Sequence, residues 1–281
     1  MAALATQKPG SPFITPLRLR ELYGMMLRFR AAESDTRLLF AKKKWPKKRQ
    51  PLLEHSAMLA GCFSHLHAGD IVAPASCALA ANLAAGAPVL DLVKILAAQA
   101  ATPDDKGMSP SEGIAMVAGA AQAQRVLGQG VVACLLEDSL VRDSSVAQIW
   151  RRCVARELPL LILTVSRTMP EPGGVHPLSG MAQIAVGADD APAIYRVMQE
   201  SIHRARTGIG PTWIRCVETG ADPLESMRVF LETRGHFDSG QPRLERTAWA
   251  SEWKAACKQA FDAKTSGEPF KARVLSFDPF R

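Results

Sequence analysis

The residues best placed to do chemistry lie between Val131 and Arg167. One apolar run, Val131 to Leu136, opens into Glu137-Asp138-Ser139, and a second, Pro159 to Val165, opens into Ser166-Arg167. If both runs are strands of a parallel sheet, both openings fall at its carboxyl edge, where doubly wound folds bind their ligands. An aspartate at that edge suits Mg²⁺, which takes oxygen ligands and often carries a phosphate with it. Asp138 is therefore the candidate metal ligand; the plainer alternative is a loop residue capping the next turn. His65 and His67 form an H-x-H pair, which could hold a metal from one face of a strand. No third ligand stands near them in sequence, so a structural role is preferred. The sequence contains no G-x-x-x-x-G-K-[ST] loop, no G-x-G-x-x-G between a strand and a helix, and no G-x-S-x-G elbow.

The elements that must position these residues can be read from periodicity and punctuation. Residues 1–14 are polar and broken by Pro and Gly, which predicts a loose tail. Thr15-Pro16 is a helix start, a capping hydroxyl before a proline at the first helical position, and helical spacing then continues to about Phe40. A short helix ending near Gly61, an Ala-rich helix from Val72 to Ala85 and an apolar helix from Leu90 to Ala101 are expected next. From Ser111 on, helix and strand alternate. Helices are predicted over Ser111–Leu127, Ser144–Arg156 and Ala191–Arg206, with strands over Val131–Leu136, Pro159–Val165, Met181–Val186 and Thr212–Val217. Asp190 and Asp222-Pro223-Leu224-Glu225 supply caps, and an amphipathic helix runs from about Arg246 to Lys264. Continuous apolar strands separated by helices imply a parallel sheet covered on both faces. The expectation is one α/β domain over residues 15–281, a doubly wound parallel sheet with a helical extension at its C-terminal end.

Composition narrows the class further. The chain has 281 residues, 47% of them hydrophobic and 22% charged, which is ordinary globular composition. Its net charge is +7, but Lys42, Lys43, Lys44, Lys47, Lys48 and Arg49 form one run, and removing those six leaves +1. Such a run could meet nucleic acid, an acidic partner or a phosphate. No nucleic-acid fold signature accompanies it, so it reads as a solvated loop broken by Pro46 and Pro51, and no nucleic-acid partner is expected. No apolar stretch is long enough to span a bilayer, and the first residues lack the basic-then-apolar order of a secretory leader. Six cysteines stand singly, at 62, 77, 134, 153, 216 and 257. With no C-x-x-C pair they read as reduced thiols of a cytoplasmic protein.

Several segments, taken in order, resemble the alpha subunit of the thiamine diphosphate-dependent 2-oxo acid dehydrogenases, the decarboxylating component for pyruvate or branched-chain 2-oxo acids. Glu21-Leu-Tyr-Gly-Met-Met-Leu-Arg-Phe-Arg resembles the family's first helix. His65-Leu66-His67-Ala68-Gly69-Asp70 is similar to its His-Leu-x-x-Gly-Gln element, and Ile114-Ala-Met-Val-Ala-Gly-Ala-Ala-Gln-Ala-Gln to the helix before its cofactor strand. Ala188-Asp-Asp-Ala-Pro-Ala-Ile-Tyr, Gly210-Pro-Thr-Trp-Ile and Asp222-Pro-Leu-Glu resemble landmarks of its C-terminal half. The resemblance runs from about Thr15 to Gly235. It implies a thiamine diphosphate-binding fold, an active-site histidine at His65, and a partner that is either a second copy in a homodimer or a beta-type subunit.

The family's diagnostic motif is Gly-Asp-Gly followed by Asn-Asn, the aspartate and the last asparagine holding the Mg²⁺ of the cofactor. The matching positions here are Glu137, Asp138, Ser139, Ser166 and Arg167, with Asp138 and Arg167 29 positions apart, close to the family's separation. Only Asp138 persists. Side chains replace both glycines where backbone should approach phosphate, and Arg167 offers no lone pair to a metal. The family's Tyr-Arg segment and its Gly-Gly-His-Ser loop have no counterpart. The reading that follows is a pseudoenzyme, a structural or regulatory alpha-type subunit with no bound cofactor and with Asp138 ion-paired to Arg167. One alternative is an active oxidoreductase, using thiamine diphosphate and Mg²⁺ in the oxidative decarboxylation of a 2-oxo acid. The other is an anion-binding regulatory module in which Arg167 supplies the counter-charge.

Overall fold

In the computed structural model, residues 14–43, 55–101, 109–128, 130–167, 180–237, 241–262 and 274–276 are described. The side chains of the basic run lie outside them. Six parallel strands make one sheet: β1 (Ile71–Ala73), β2 (Val132–Glu137), β3 (Leu160–Ser166), β4 (Ala182–Gly187), β5 (Thr212–Val217) and β6 (Leu275–Ser276), in the order β4-β5-β3-β2-β1-β6. Ten α-helices accompany them among the described residues: α1 (Pro16–Lys43), α2 (Ser56–Phe63), α3 (Ala78–Ala84), α4 (Val89–Ala101), α5 (Pro110–Leu127), α6 (Asp138–Arg142), α7 (Ala147–Ala155), α8 (Ala191–Arg206), α9 (Pro223–Thr233) and α10 (Gln241–Asp262).

The strand side chains divide by the two-residue pleat into two cores. Ala133, Leu161, Leu163, Ile214 and Cys216 face one core, built with α1 to α4 and α8 to α10. Ala73, Cys134, Leu136, Leu160, Ile162 and Trp213 face the other, covered by α5 and α7. A sheet buried on both sides explains why β2, β3 and β5 read as unbroken apolar runs. α2 lies close against α8 because residue 61 is a glycine: a Cβ there would sit 2.7 Å from Ile194 Cγ2. α10 packs into the first core through Trp249, Trp253 and Ala256, and beyond it β6 pairs in parallel with β1. No helix among the described residues is long and apolar enough to cross a membrane.

The capping residues act as their sequence suggests. Thr15 Oγ1 accepts from Arg18 N, Asp190 from Ala193 N and Asp222 from Leu224 N, while Ser109 and Glu112 close a reciprocal capping box. The expected helix over Val72–Ala85 is corrected. Its first residues are β1, because Ile71–Ala73 pair with Val132–Cys134, and the chain then turns through Pro74 and a short 3₁₀ segment before α3 begins at Ala78. Pro74, which cannot donate a backbone hydrogen bond, follows the last strand residue, and the Ala-rich helix is shortened accordingly. Ile14, assigned to the tail, is buried in the first core.

Asp70, just before β1, is the buried anchor at the amino edge of the sheet. Its Oδ1 accepts from Val131 N at 2.9 Å, and its Oδ2 accepts from His67 N and from Arg206 Nη2, both at 2.7 Å. Gly130 is required beside it, since a Cβ there would lie 2.7 Å from Asp70 Oδ1.

Four helices end in the same device, an amide reaching back over a left-handed residue. In α3, α8 and α9 that residue is Gly86, Gly208 or Gly235, but in α7 it is Glu157, with φ of 48°, while Leu158 N donates to Cys153 O. A left-handed non-glycine residue costs about 1–2 kcal/mol, and the exposed Glu157–Arg125 ion pair offsets little of it. Glu157→Gly is expected to stabilise the chain by roughly 0.5–1 kcal/mol. Urea titration measures the change, and a loss of stability would contradict the account.

Candidate functional site

β2, β3 and β5 end level with one another, and their register sets the site. Leu136 stands opposite Thr164, and Thr164 opposite Arg215. By the pleat, Thr164 and Arg215 face the α5/α7 side, as do Leu160, Ile162 and Trp213 in the second core. Asp138, the first residue of α6, turns its carboxylate toward them. Arg215 Nε donates to Asp138 Oδ1 at 3.1 Å and Arg215 Nη2 to Oδ2 at 3.4 Å. Thr164 Oγ1 donates to Oδ1 at 3.3 Å and in turn accepts from Trp213 Nε1 at 3.1 Å. Arg142, one helical turn along α6, closes on Oδ2. The Arg215 guanidinium lies 5.2 Å from the centre of the Trp213 ring, so an aromatic face shares in holding the charge.

The arrangement is a buried ion pair rather than a surface one. The Arg215 side chain is 4% exposed and that of Asp138 16%. A two-pronged guanidinium–carboxylate contact is geometrically specific. It is also tolerable at this depth only because each charge has its partner.

Arg167 does not meet Asp138, which corrects the expected pairing. It follows Ser166 at the end of β3, and the alternation that turns Thr164 toward Asp138 turns residue 167 to the other side. There its Nε lies 3.4 Å from Glu218 Oε2, with the arginine side chain 91% exposed. Among the other motif positions, Glu137 and Ser139 are exposed, with the Ser139 hydroxyl 3.4 Å from Glu137 Oε2, and Ser166 is buried.

The Asp138 carboxylate is already engaged. Both oxygens of the one retained carboxylate accept from guanidinium groups. A divalent cation about 5 Å from the buried Arg215 charge would be repelled by roughly 7 kcal/mol at an effective dielectric constant near 20. Among the described residues no three His, Cys, Asp or Glu side chains converge as metal ligands.

His65 belongs to a different place. It follows α2 and lies on the opposite side of the sheet, against α8, where its ring centre is 4.1 Å from that of Tyr195. Its Nε2 donates to the Tyr195 carbonyl at 3.0 Å, which selects the tautomer protonated at Nε2. Arg18 brackets the cluster, donating to the Tyr195 hydroxyl at 3.3 Å and to the Ser64 carbonyl at 3.1 Å. His67 is exposed and meets Asp70 through its backbone, its amide donating to the carboxylate and its carbonyl accepting from Asp70 N, so the H-x-H pair makes no shared ligand set.

Sequence reading missed Arg215, Thr164, Trp213 and Arg142. The available signal was a charged and a hydroxyl residue inside otherwise apolar strands, Thr-Trp-Ile-Arg-Cys-Val and Leu-Leu-Ile-Leu-Thr-Val. Only the register shows that these two are neighbours. Compared with protein-family models and with curated proteins, the chain matches none.

Burial pushes the His65 pKa down to about 4; the bond to the Tyr195 carbonyl opposes this and the Arg18 charge adds to it. An unfolded histidine titrates near 6.5. The neutral ring therefore contributes stability that is fully present above about pH 6.5 and is lost as pH falls toward 4, about 3 kcal/mol in all. His65→Phe keeps the ring against Tyr195 and removes the titration. Its urea-derived stability should fall less steeply between pH 7 and pH 4.5 than that of the unmodified chain, and parallel slopes would refute the buried neutral histidine.

Proposed function

We propose that this chain is a diverged alpha-type subunit of the thiamine diphosphate-binding fold. It keeps the fold and a pairing surface but not the means to hold thiamine diphosphate with Mg²⁺. The observation that carries the reading is the contact of Arg215 with Asp138. The carboxylate that the resemblance assigns to the metal is already neutralised by a guanidinium rooted in the middle of β5. A ligand competing for Asp138 would leave a buried arginine unpaired, a loss of about 3–5 kcal/mol. The chain then works by association, in a reducing compartment that suits its mostly buried cysteines.

A ligand that binds only the folded chain raises its stability by about 2.7 kcal/mol at one hundred times its dissociation constant. Thermal unfolding in millimolar thiamine diphosphate and Mg²⁺ is expected to show no such rise. A Mg²⁺-dependent increase in Tm would overturn the reading in favour of an active 2-oxo acid dehydrogenase component.

The partner is a second copy or a beta-type chain, and α5 supplies the contact. Ala78, Ala80 and Ala81 of α3 are buried in the chain's own core, and Ala121 of α5 faces the second core with Ala120 half-buried beside it. Ala78, Ala80, Ala81 and Ala121 therefore pack inside the chain. The outward face of α5 is different: Ala115, Met116, Gly119, Ala123, Val126 and Leu127 are exposed, Val126 by 76%. Ala115, Gly119 and Ala123 stand four residues apart, which lets a second helix approach closely. A symmetric dimer is the default when no other chain is present. Gly119→Glu favours an isolated helix but blocks that approach. It should convert the dimer to monomer at unchanged or slightly higher stability. Light scattering reads the result, and a monomeric unmodified chain at micromolar concentration would remove the pairing role.

A further inference from the structure

Asn82 is fully buried in the Ala-rich helix α3, where a polar amide has no local purpose. Its Nδ2 donates to the Ala78 carbonyl at 2.9 Å within the helix. The same amide also meets the backbone of one residue near the end of the chain. Nδ2 donates to the Val274 carbonyl at 3.1 Å, and Oδ1 accepts from Val274 N at 3.1 Å. Donating to and accepting from the same residue is what a neighbouring strand does, so Asn82 prolongs the edge of the sheet by one side chain. Beyond it Leu275 N donates to the Asp70 carbonyl at 3.0 Å, and Leu275 and Ser276 pair with Ile71 and Val72.

Recognition in this groove is of two kinds. Backbone bonds from Asn82, Asp70 and β1 accept any extended segment, whereas Val274 is fully buried and calls for a small apolar side chain. Leu275 and Ser276 are exposed, so among the described residues of the segment the groove reads the Val274 side chain and otherwise main chain. The contact is short. Two register pairs join β6 to β1, against six between β2 and β3, so this edge is the part of the sheet that can open at least cost. A vacated groove would leave the Asn82 amide and the Asp70 carbonyl without these partners, which favours refilling by another strand.

We propose that β1 and Asn82 form a strand-docking groove whose occupant is exchangeable: residues 274–276 fill it within the chain, and the same segment of a second copy fills it when the chain's own is displaced. This is strand addition at a sheet edge, with one specificity pocket. It is independent of the subunit reading, because it involves neither α5 nor the Asp138 site.

The test uses the full chain carrying Val274→Asp, which cannot bury its own segment, and a fluorescently labelled peptide of residues 271–281. Saturable binding is expected to this variant, with binding at least tenfold weaker to the unmodified chain, whose groove is filled. Adding Asn82→Ala to the variant should weaken peptide binding at least tenfold, and a labelled peptide carrying Val274→Asp should not bind. If Val274→Asp fails to fold, Leu275→Pro replaces it, because that change removes the amide bonded to Asp70 at an exposed position. A folded variant that takes up no peptide overturns the proposal. So does binding indifferent to Asn82→Ala, or equal binding to the unmodified chain, which would place the peptide elsewhere.

Discussion

The buried carboxylate of Asp70 is the contact on which the geometry of the sheet rests. One residue joins parts of the chain far apart in sequence. Its side chain takes the amide of Val131 as the chain enters β2, the amide of His67 in the turn from α2, and the guanidinium of Arg206 at the end of α8. Its own carbonyl takes Leu275 N at the start of β6. Gln124 of α5 is tied to the same turn through the Gly69 carbonyl. Carboxylate bonds to amides and a guanidinium are among the stronger hydrogen bonds, and removing a buried charge from such a set costs about 3–5 kcal/mol. The effect reaches beyond stability. By fixing where β1 begins against β2, Asp70 sets the level at which the strands end, and the candidate site is made at those ends.

The opposite edge repeats the solution with a different balance. Asp138 also meets arginine, but its partner Arg215 springs from the middle of a strand rather than from the end of a helix. Arg206 keeps a third of its side chain in solvent and could survive alone, whereas Arg215 could not. The ion pair at the carboxyl edge is therefore settled when β5 joins β3. That distinguishes Arg215 from Arg167, whose pairing with Glu218 is exposed and worth little.

Much of this architecture is written locally. Thr15, Ser109 with Glu112, Asp190 and Asp222 start helices where capping chemistry places them, and β2, β3 and β5 stand out because both faces of the sheet are covered. The elements that escaped reading are those defined by partners rather than by their own residues. β1 has three residues inside an Ala-rich stretch and is a strand only because Val132–Cys134 lie beside it. β6 has two and depends on Asp70 and Asn82. α6 is a single short turn, so the Asp138–Arg142 spacing carried no helical signal. The candidate site divided in the same way. Asp138 was legible because it ends an apolar run, but its partner required the register of β3 against β5, which no pattern within either strand encodes. Arg167 stands at the matching motif position, but the alternation of side chains across the pleat sends it to the other face.

The fold alone is sufficient to hold Asp138 in place. Thr164 and Arg215 are polar groups on an apolar face, and the Asp138 carboxylate joins them, with Trp213 through Thr164, into one network of hydrogen bonds. Replacing the aspartate would strand the arginine; replacing the arginine would leave the carboxylate with Arg142 and the Thr164 hydroxyl. Each residue holds the other in place, so a change at either one costs the network at the ends of β2, β3 and β5 as a whole.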